Sequence, residues 1–179
     1  MRVELRLDEP GQSVIATGLG FLDHMLATFA RHAGVQLQLR CTGDLQVDDH
    51  HSVEDCALTL GAALDKALGD RAGVVRFGSA LAPMDEALAR AAVDLSGRGL
   101  FVGELGLVRE RLGDVSCENI PHFFRSLATS ARLTLHLDLL RGANDHHRAE
   151  AAFKAFALAL RQAVVRSGAA EPPSVKGSL

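Results

Sequence analysis

Asp49-His50-His51-Ser52-Val53-Glu54 returns later in the chain as Asp145-His146-His147-Arg148-Ala149-Glu150. Both stretches read D-H-H-x-x-E. Each opens an apolar-periodic run rich in Ala and Leu, Cys56 to Leu68 and Ala151 to Val164. Such runs predict amphipathic helices, and the aspartate before each histidine pair is the expected N-cap.

The likeness extends upstream. Asp23-His24-Met25-Leu26-Ala27-Thr28-Phe29-Ala30 parallels Pro121-His122-Phe123-Phe124-Arg125-Ser126-Leu127-Ala128, and both segments have helical apolar spacing. A strand-like alternation follows each: Val35, Leu37, Leu39 and Cys41, then Leu133, Leu135, Leu137 and Leu139. His24 stands 26 residues before the first pair and His122 stands 24 before the second. The chain therefore reads as an internal repeat. The fold class expected is α+β: two similar halves, each a small sheet covered by two helices, packed about a pseudo-twofold axis. Residues 1–69 form the first repeat, 70–167 the second, and 168–179 a C-terminal tail. Val3, Leu5 and Leu7 predict an opening strand, and Phe77 to Leu81, Ala89 to Leu95 and Leu100 to Leu105 predict the early strands of the second half.

Helical spacing makes the repeated stretches candidate metal sites. Residues three or four apart share a helix face, whereas neighbours point about 100° apart. The two histidines of each pair must therefore serve different ions. Glu54 can join His51 at three residues or His50 at four, and spacing alone leaves both open; Glu150 poses the same choice between His147 and His146. Duplicating four histidines and two carboxylates without a ligand would leave costly unpaired polar groups. Imidazole and carboxylate donors without thiolate suit a six-coordinate ion such as manganese or iron, and also permit zinc. His32 and His136 stand outside the repeated pattern.

The bulk composition fits this reading. The chain has 179 residues, a formal net charge of −3, and neither Trp nor Tyr. No basic stripe or aromatic platform suggests nucleic acid, and no apolar run approaches membrane-spanning length. Three cysteines, an odd count without zinc-site spacing, and no leader-like segment predict a reducing cytoplasm.

These residues closely resemble the imidazoleglycerol-phosphate dehydratase family. The resemblance runs from Leu7-Asp8 to the C-terminus. It is carried by Gly20-Phe21-Leu22-Asp23-His24-Met25-Leu26, Asp48 through Asp55, Pro83-Met84-Asp85-Glu86-Ala87-Leu88 and Asp94-Leu95-Ser96-Gly97-Arg98. It continues in His122-Phe123-Phe124-Arg125-Ser126-Leu127 and in Asn144 through Glu150 to Phe153-Lys154-Ala155. It implies a hydro-lyase that dehydrates D-erythro-imidazole glycerol 3-phosphate to imidazole acetol phosphate in L-histidine biosynthesis. It implies two Mn2+ per subunit, one held by His24, His51, Glu54 and His146, the other by His50, His122, His147 and Glu150. Two Lewis acids at the ring nitrogens would stabilise a substrate imidazolate, whose electrons can expel the adjacent hydroxyl. It further implies a homo-oligomer, a hollow 24-mer with sites completed at subunit interfaces.

The positions matching the family's substrate-binding groups are Arg76, Arg98, Ser174 and Lys176, suited to phosphate, with His32 a further candidate. Val175 replaces a hydroxyl residue of the family's Ser-Thr-Lys or Ser-Ser-Lys element. The family's N-terminal glutamate has no counterpart in the given stretch: either the natural start lies upstream of Met1, or proton transfer falls to another group, with Asp85, Glu86 and His32 as weaker candidates. Two rival readings are a dinuclear hydrolase, which would need a metal-bridging carboxylate and hydroxide, and a metal-storage assembly, which would need no converging arginines and lysine.

Overall fold

The structure, a computed structural model, describes residues 1–7, 11–169, 171, 173 and 174. In the first half, β1 (Arg2–Arg6), β2 (Val14–Ala16) and β3 (Gln36–Arg40) form a mixed three-stranded sheet in the order β1-β3-β2. Helix α1 (Gly20–Ala33) precedes β3 and α2 (His50–Leu68) follows it. The second half begins with β4 (Phe77–Met84), β5 (Ala87–Asp94) and β6 (Leu100–Glu104). A two-stranded hairpin follows, β7 (Arg111–Leu112) and β8 (Val115–Ser116), and then α3 (Asn119–Ser130), β9 (Thr134–Arg141) and α4 (Asp145–Ala163). The four-stranded sheet runs β4-β5-β9-β6, with β6 parallel to β9 and the other pairs antiparallel. No helix among the described residues is long and apolar enough to cross a membrane.

The mixed α+β class expected from the alternating periods is what the chain adopts. Strand alternation buries Leu37 and Leu39 on β3 and Ala87, Ala89, Ala91 and Val93 on β5, so each sheet turns one apolar face inward. Helices occupy the space between the two sheets: α1 and α2 lie on the first, α3 and α4 on the second. Across the middle, α1 packs on α4 and α2 on α3. Phenylalanines fill this helix layer, with Phe29 stacked on Phe156 at 5.4 Å between ring centroids and Phe124 against Phe153 at 4.7 Å.

Two glycines permit the close approaches. A Cβ on Gly61 of α2 would stand 2.8 Å from the Leu127 carbonyl oxygen of α3, and one on Gly78 of β4 would stand 1.9 Å from the Ala159 carbonyl oxygen of α4. Strand β2 and the β7–β8 hairpin were not anticipated. Neither has the length or period that distinguishes a strand from a loop.

Candidate metal centres

The aspartates expected to cap the histidine-bearing helices do something else. Asp49 precedes α2 without a side-chain cap, and in α4 the cap is Asn144, whose side chain accepts from the His146 N–H. Both aspartates are buried and reach instead to the segment before α3. Asp49 accepts from the Ser116 N–H, the Ser116 hydroxyl and the Asn119 amide. Asp145 accepts from the N–H groups of Val108 and Arg109 and from Arg148. Burial opposes ionisation of both groups, but these hydrogen bonds outweigh it and hold both carboxyls below the usual range. From the same segment, Asp114 accepts from the Gly20 and Phe21 N–H groups at the start of α1. The strap from Leu105 to Glu118 thus ties down the N-termini of three histidine-bearing helices.

Among the described residues two trios of ligand-type groups result, and in each the candidate ligand atoms lie within 4.8 Å of one another. The first joins His24 of α1 with His146 and Glu150 of α4; Nε2 of each histidine is 3.4 Å from Glu150 Oε2. The second joins His50 and Glu54 of α2 with His122 of α3, whose Nε2 is 3.0 Å from Glu54 Oε1. The His50 and His122 rings stack at 4.7 Å. Each trio therefore combines both halves, following the α1–α4 and α2–α3 packing.

The carboxylates sit differently from the grouping that the resemblance implies. Glu150 accompanies His24 and His146, and Glu54 accompanies His50 and His122. The reason is local. In each helix the histidine four residues before the glutamate points across the same helix-pair interface, whereas the one three residues before turns outward.

These outward histidines, His51 and His147, join neither trio. His51 Nδ1 lies 2.8 Å from Asp44, and His147 Nδ1 lies 2.7 Å from Glu86. Each carboxylate raises its imidazole's pKa through that hydrogen bond. The His147 bond, with the Asn144 and Ala143 N–H groups, pulls Glu86 down to about 2. His50 Nδ1 is similarly engaged, 2.9 Å from Asn119 Oδ1. Burial works against the charge on Glu150, but a 2.8 Å contact from Lys154 lowers its pKa nonetheless.

The remaining candidates are dispersed. Arg76, at a positive φ of 79°, is engaged by Asp94 and by the Pro173 carbonyl, which brings the tail to its side. Arg98 is exposed on the turn after β5. Ser174 is half-buried, and Lys176 and Val175 lie outside the described residues. His32 lines a cavity of about 520 Å³ with Arg31, Lys154 and Glu150, and burial followed by the nearby Lys154 charge lowers its pKa. His136 lies exposed on β9. Sequence reasoning assigned no role to Asp44, Asn119 or Lys154. Only Lys154, four residues after Glu150, had a local signal.

A sequence model of imidazoleglycerol-phosphate dehydratase matches residues 17–160. The chain is 59% identical over 165 residues to the imidazoleglycerol-phosphate dehydratase of Maudiozyma humilis, covering 92% of this chain and 73% of that protein. With the Saccharomyces cerevisiae enzyme the identity is 57% over 165 residues, covering 92% and 75%. Its fold is similar to the crystal structure of the dehydratase from Staphylococcus aureus, at a TM-score of 0.85 and 41% identity, covering 92% of this chain and 93% of that one. The Pyrococcus furiosus structure, in complex with (S)-C348, gives a TM-score of 0.85 at 35% identity, covering 99% and 94%. Trios, fold and sequence agree: this chain belongs to the imidazoleglycerol-phosphate dehydratase family.

Proposed function

We propose that the protein removes water from D-erythro-imidazole glycerol 3-phosphate, yielding imidazole acetol phosphate in histidine biosynthesis, at two metal centres built on the trios. The observation that carries this reading is the pair of matched trios, each a His from one half with a His and a Glu from the other. Their all-nitrogen-and-oxygen donor set fits Mn2+, two per chain, and three donors leave room on a six-coordinate ion. Bound there, the ions supply Lewis acidity to the two nitrogens of the substrate imidazole.

The chain's own groups do the rest. His51 and His147 complete the trios of neighbouring copies: His51 joins the set of His24, His146 and Glu150, and His147 joins that of His50, His122 and Glu54. This keeps the histidine division that the resemblance implies and exchanges the two carboxylates. It also makes the active particle a homo-oligomer, for which we take the family's 24-mer. Arg76, Arg98, Ser174 and Lys176 grip the phosphate, the arginines through planar, charge-assisted pairs. His32, beside Lys154, faces the cavity that reaches Glu150, where a neutral imidazole can accept a proton. With this role we propose a cytoplasmic location, consistent with three free cysteines.

The test is to incubate the purified protein with imidazole glycerol phosphate and Mn2+ and to follow imidazole acetol phosphate. Product formation that a chelator stops and Mn2+ restores is expected. No product with Mn2+ or any other divalent ion would overturn the reading.

A further inference from the structure

Asp44 and Glu86 hold the two histidines that belong to neither trio. Asp44 lies in the loop after β3, and its Oδ2 is 2.8 Å from His51 Nδ1. Glu86 lies at the tight turn between β4 and β5, beside Asp85 with its φ of 48°. Its Oε2 is 2.7 Å from His147 Nδ1, while its Oε1 accepts from the N–H groups of Ala143 and Asn144 just before α4. A carboxylate can only accept when ionised, so in the neutral imidazole Nδ1 must carry the proton. The lone pair is then fixed on Nε2. The rings are also fixed in direction, because a side chain with two free torsions is pinned at its tip. The ligands repeat between the halves, but their holders do not: one precedes its histidine by seven residues and the other by 61.

We propose that Asp44 and Glu86 are positioning residues that set the tautomer and aim of His51 and His147, so that each presents Nε2 to a metal ion on a neighbouring copy. This rests on the two-metal reading above. It gives Glu86 a role other than proton transfer, since both its oxygens already accept hydrogen bonds. Asn119 does the corresponding service within the second trio: its Oδ1 faces His50 Nδ1, and its amide is itself anchored on Asp49 at 2.9 Å.

The experiment is an Mn2+ titration of the assembled protein, with the free ion read by its electron paramagnetic resonance signal, beside the thermal midpoint of the metal-free form. Loss of an outer-shell partner typically weakens metal affinity about 10–100-fold. Asp44→Ala should do so at one ion per chain and change the midpoint little, because the Asp44 carboxylate, besides its own N–H, reaches no residue but His51 among those described. Asp44→Asn should recover most of the affinity, since an amide oxygen still accepts from Nδ1–H. Glu86→Ala should weaken the other ion and also lower the midpoint, and Glu86→Gln should recover one of the two at most, because its single amide oxygen can accept from His147 Nδ1–H or from the Ala143 and Asn144 N–H groups but not from both. Wild-type Mn2+ affinity in Asp44→Ala and Glu86→Ala would overturn the assignment while leaving the two-metal reading intact. Failure of the unaltered protein to bind Mn2+ would overturn both.

Discussion

The two halves build the same chemistry with different supports. Each supplies one histidine from its first helix and a His-x-x-x-Glu pair from its second. In the first half, Glu54 is half-exposed and meets His122. In the second, Glu150 is buried and already engaged by Lys154. The buried aspartates differ too: Asp49 is satisfied mainly by neutral donors, with Arg111 more distant at 3.4 Å, whereas Asp145 takes a 2.9 Å contact from Arg148. Repetition of the ligands therefore does not make the two centres equal, because the charge around each is set by residues that do not repeat.

The largest difference should appear in metal retention. An ammonium group on Glu150 offsets the negative charge that a cation would meet, so graded chelation should empty that centre first. Glu54→Gln should weaken its ion by more than about 100-fold, beyond the range for an outer-shell partner, and by more than Glu150→Gln weakens the other. Metal analysis across a chelator series checks this, and simultaneous release of both ions would erase the contrast.

The aspartates offer the next test. Asn at position 49 can still accept from the Ser116 N–H and donate to the Ser116 hydroxyl, so Asp49→Asn should cost about 1 kcal/mol. Asn at 145 must either turn its amide toward the Arg148 guanidinium or abandon two backbone N–H groups. Asp145→Asn should therefore cost about 3 kcal/mol, the upper range for bonds to charged groups. Urea unfolding of the metal-free protein measures both, and equal costs would show that Arg148 is fully satisfied elsewhere.

The glycines separate packing within a half from packing between halves. Gly78→Ala must push apart β4 and α4 within the second half and should cost about 2–3 kcal/mol, whereas Gly61→Ala, with a milder clash between α2 and α3, should cost about 1 kcal/mol. Thermal midpoints give the order. The smallest effect belongs to the exposed ion pairs on the outer sheet faces, Arg2 with Glu4 and Arg90 with Asp138. Removing either arginine should change stability by less than about 0.5 kcal/mol in both halves, and a larger loss at Arg90 would mean that this pair is shielded from water.

The repeated D-H-H-x-x-E stretches made the histidine-bearing helices and the repeat legible, because helical and strand periods are local properties; of the eight candidate ligands the structure gathers six into trios and leaves His51 and His147 outside them. What stayed hidden was decided by contacts distant in sequence. Whether Glu54 pairs at three or four residues depends on which face of α2 meets α3. Asp49 and Asp145 looked like caps because Asp is a common cap, yet the strap they serve has no period and had no expected structure. Asn119 meets His50 across 69 residues and Glu86 meets His147 across 61, so nothing in the neighbourhood of either pair announces it.

The crossing of the trios has a consequence for origin and assembly. Within one half, the lone histidine and the His-x-x-x-Glu pair lie on helices whose ligand groups do not share a trio; each finds its complement only on the opposite half. Two identical copies of a single half, docked on a twofold axis, would generate both centres at once. The chain has the geometry of a dimer made covalent, and the link through Asp70 to Gly73 fixes the stoichiometry at one half of each kind. The halves are not identical: Lys154 stands four residues after Glu150, where Leu58 stands four after Glu54. Co-expressing residues 1–69 with residues 70–179 would ask whether the tether is needed at all, since each ion would itself bridge the two pieces.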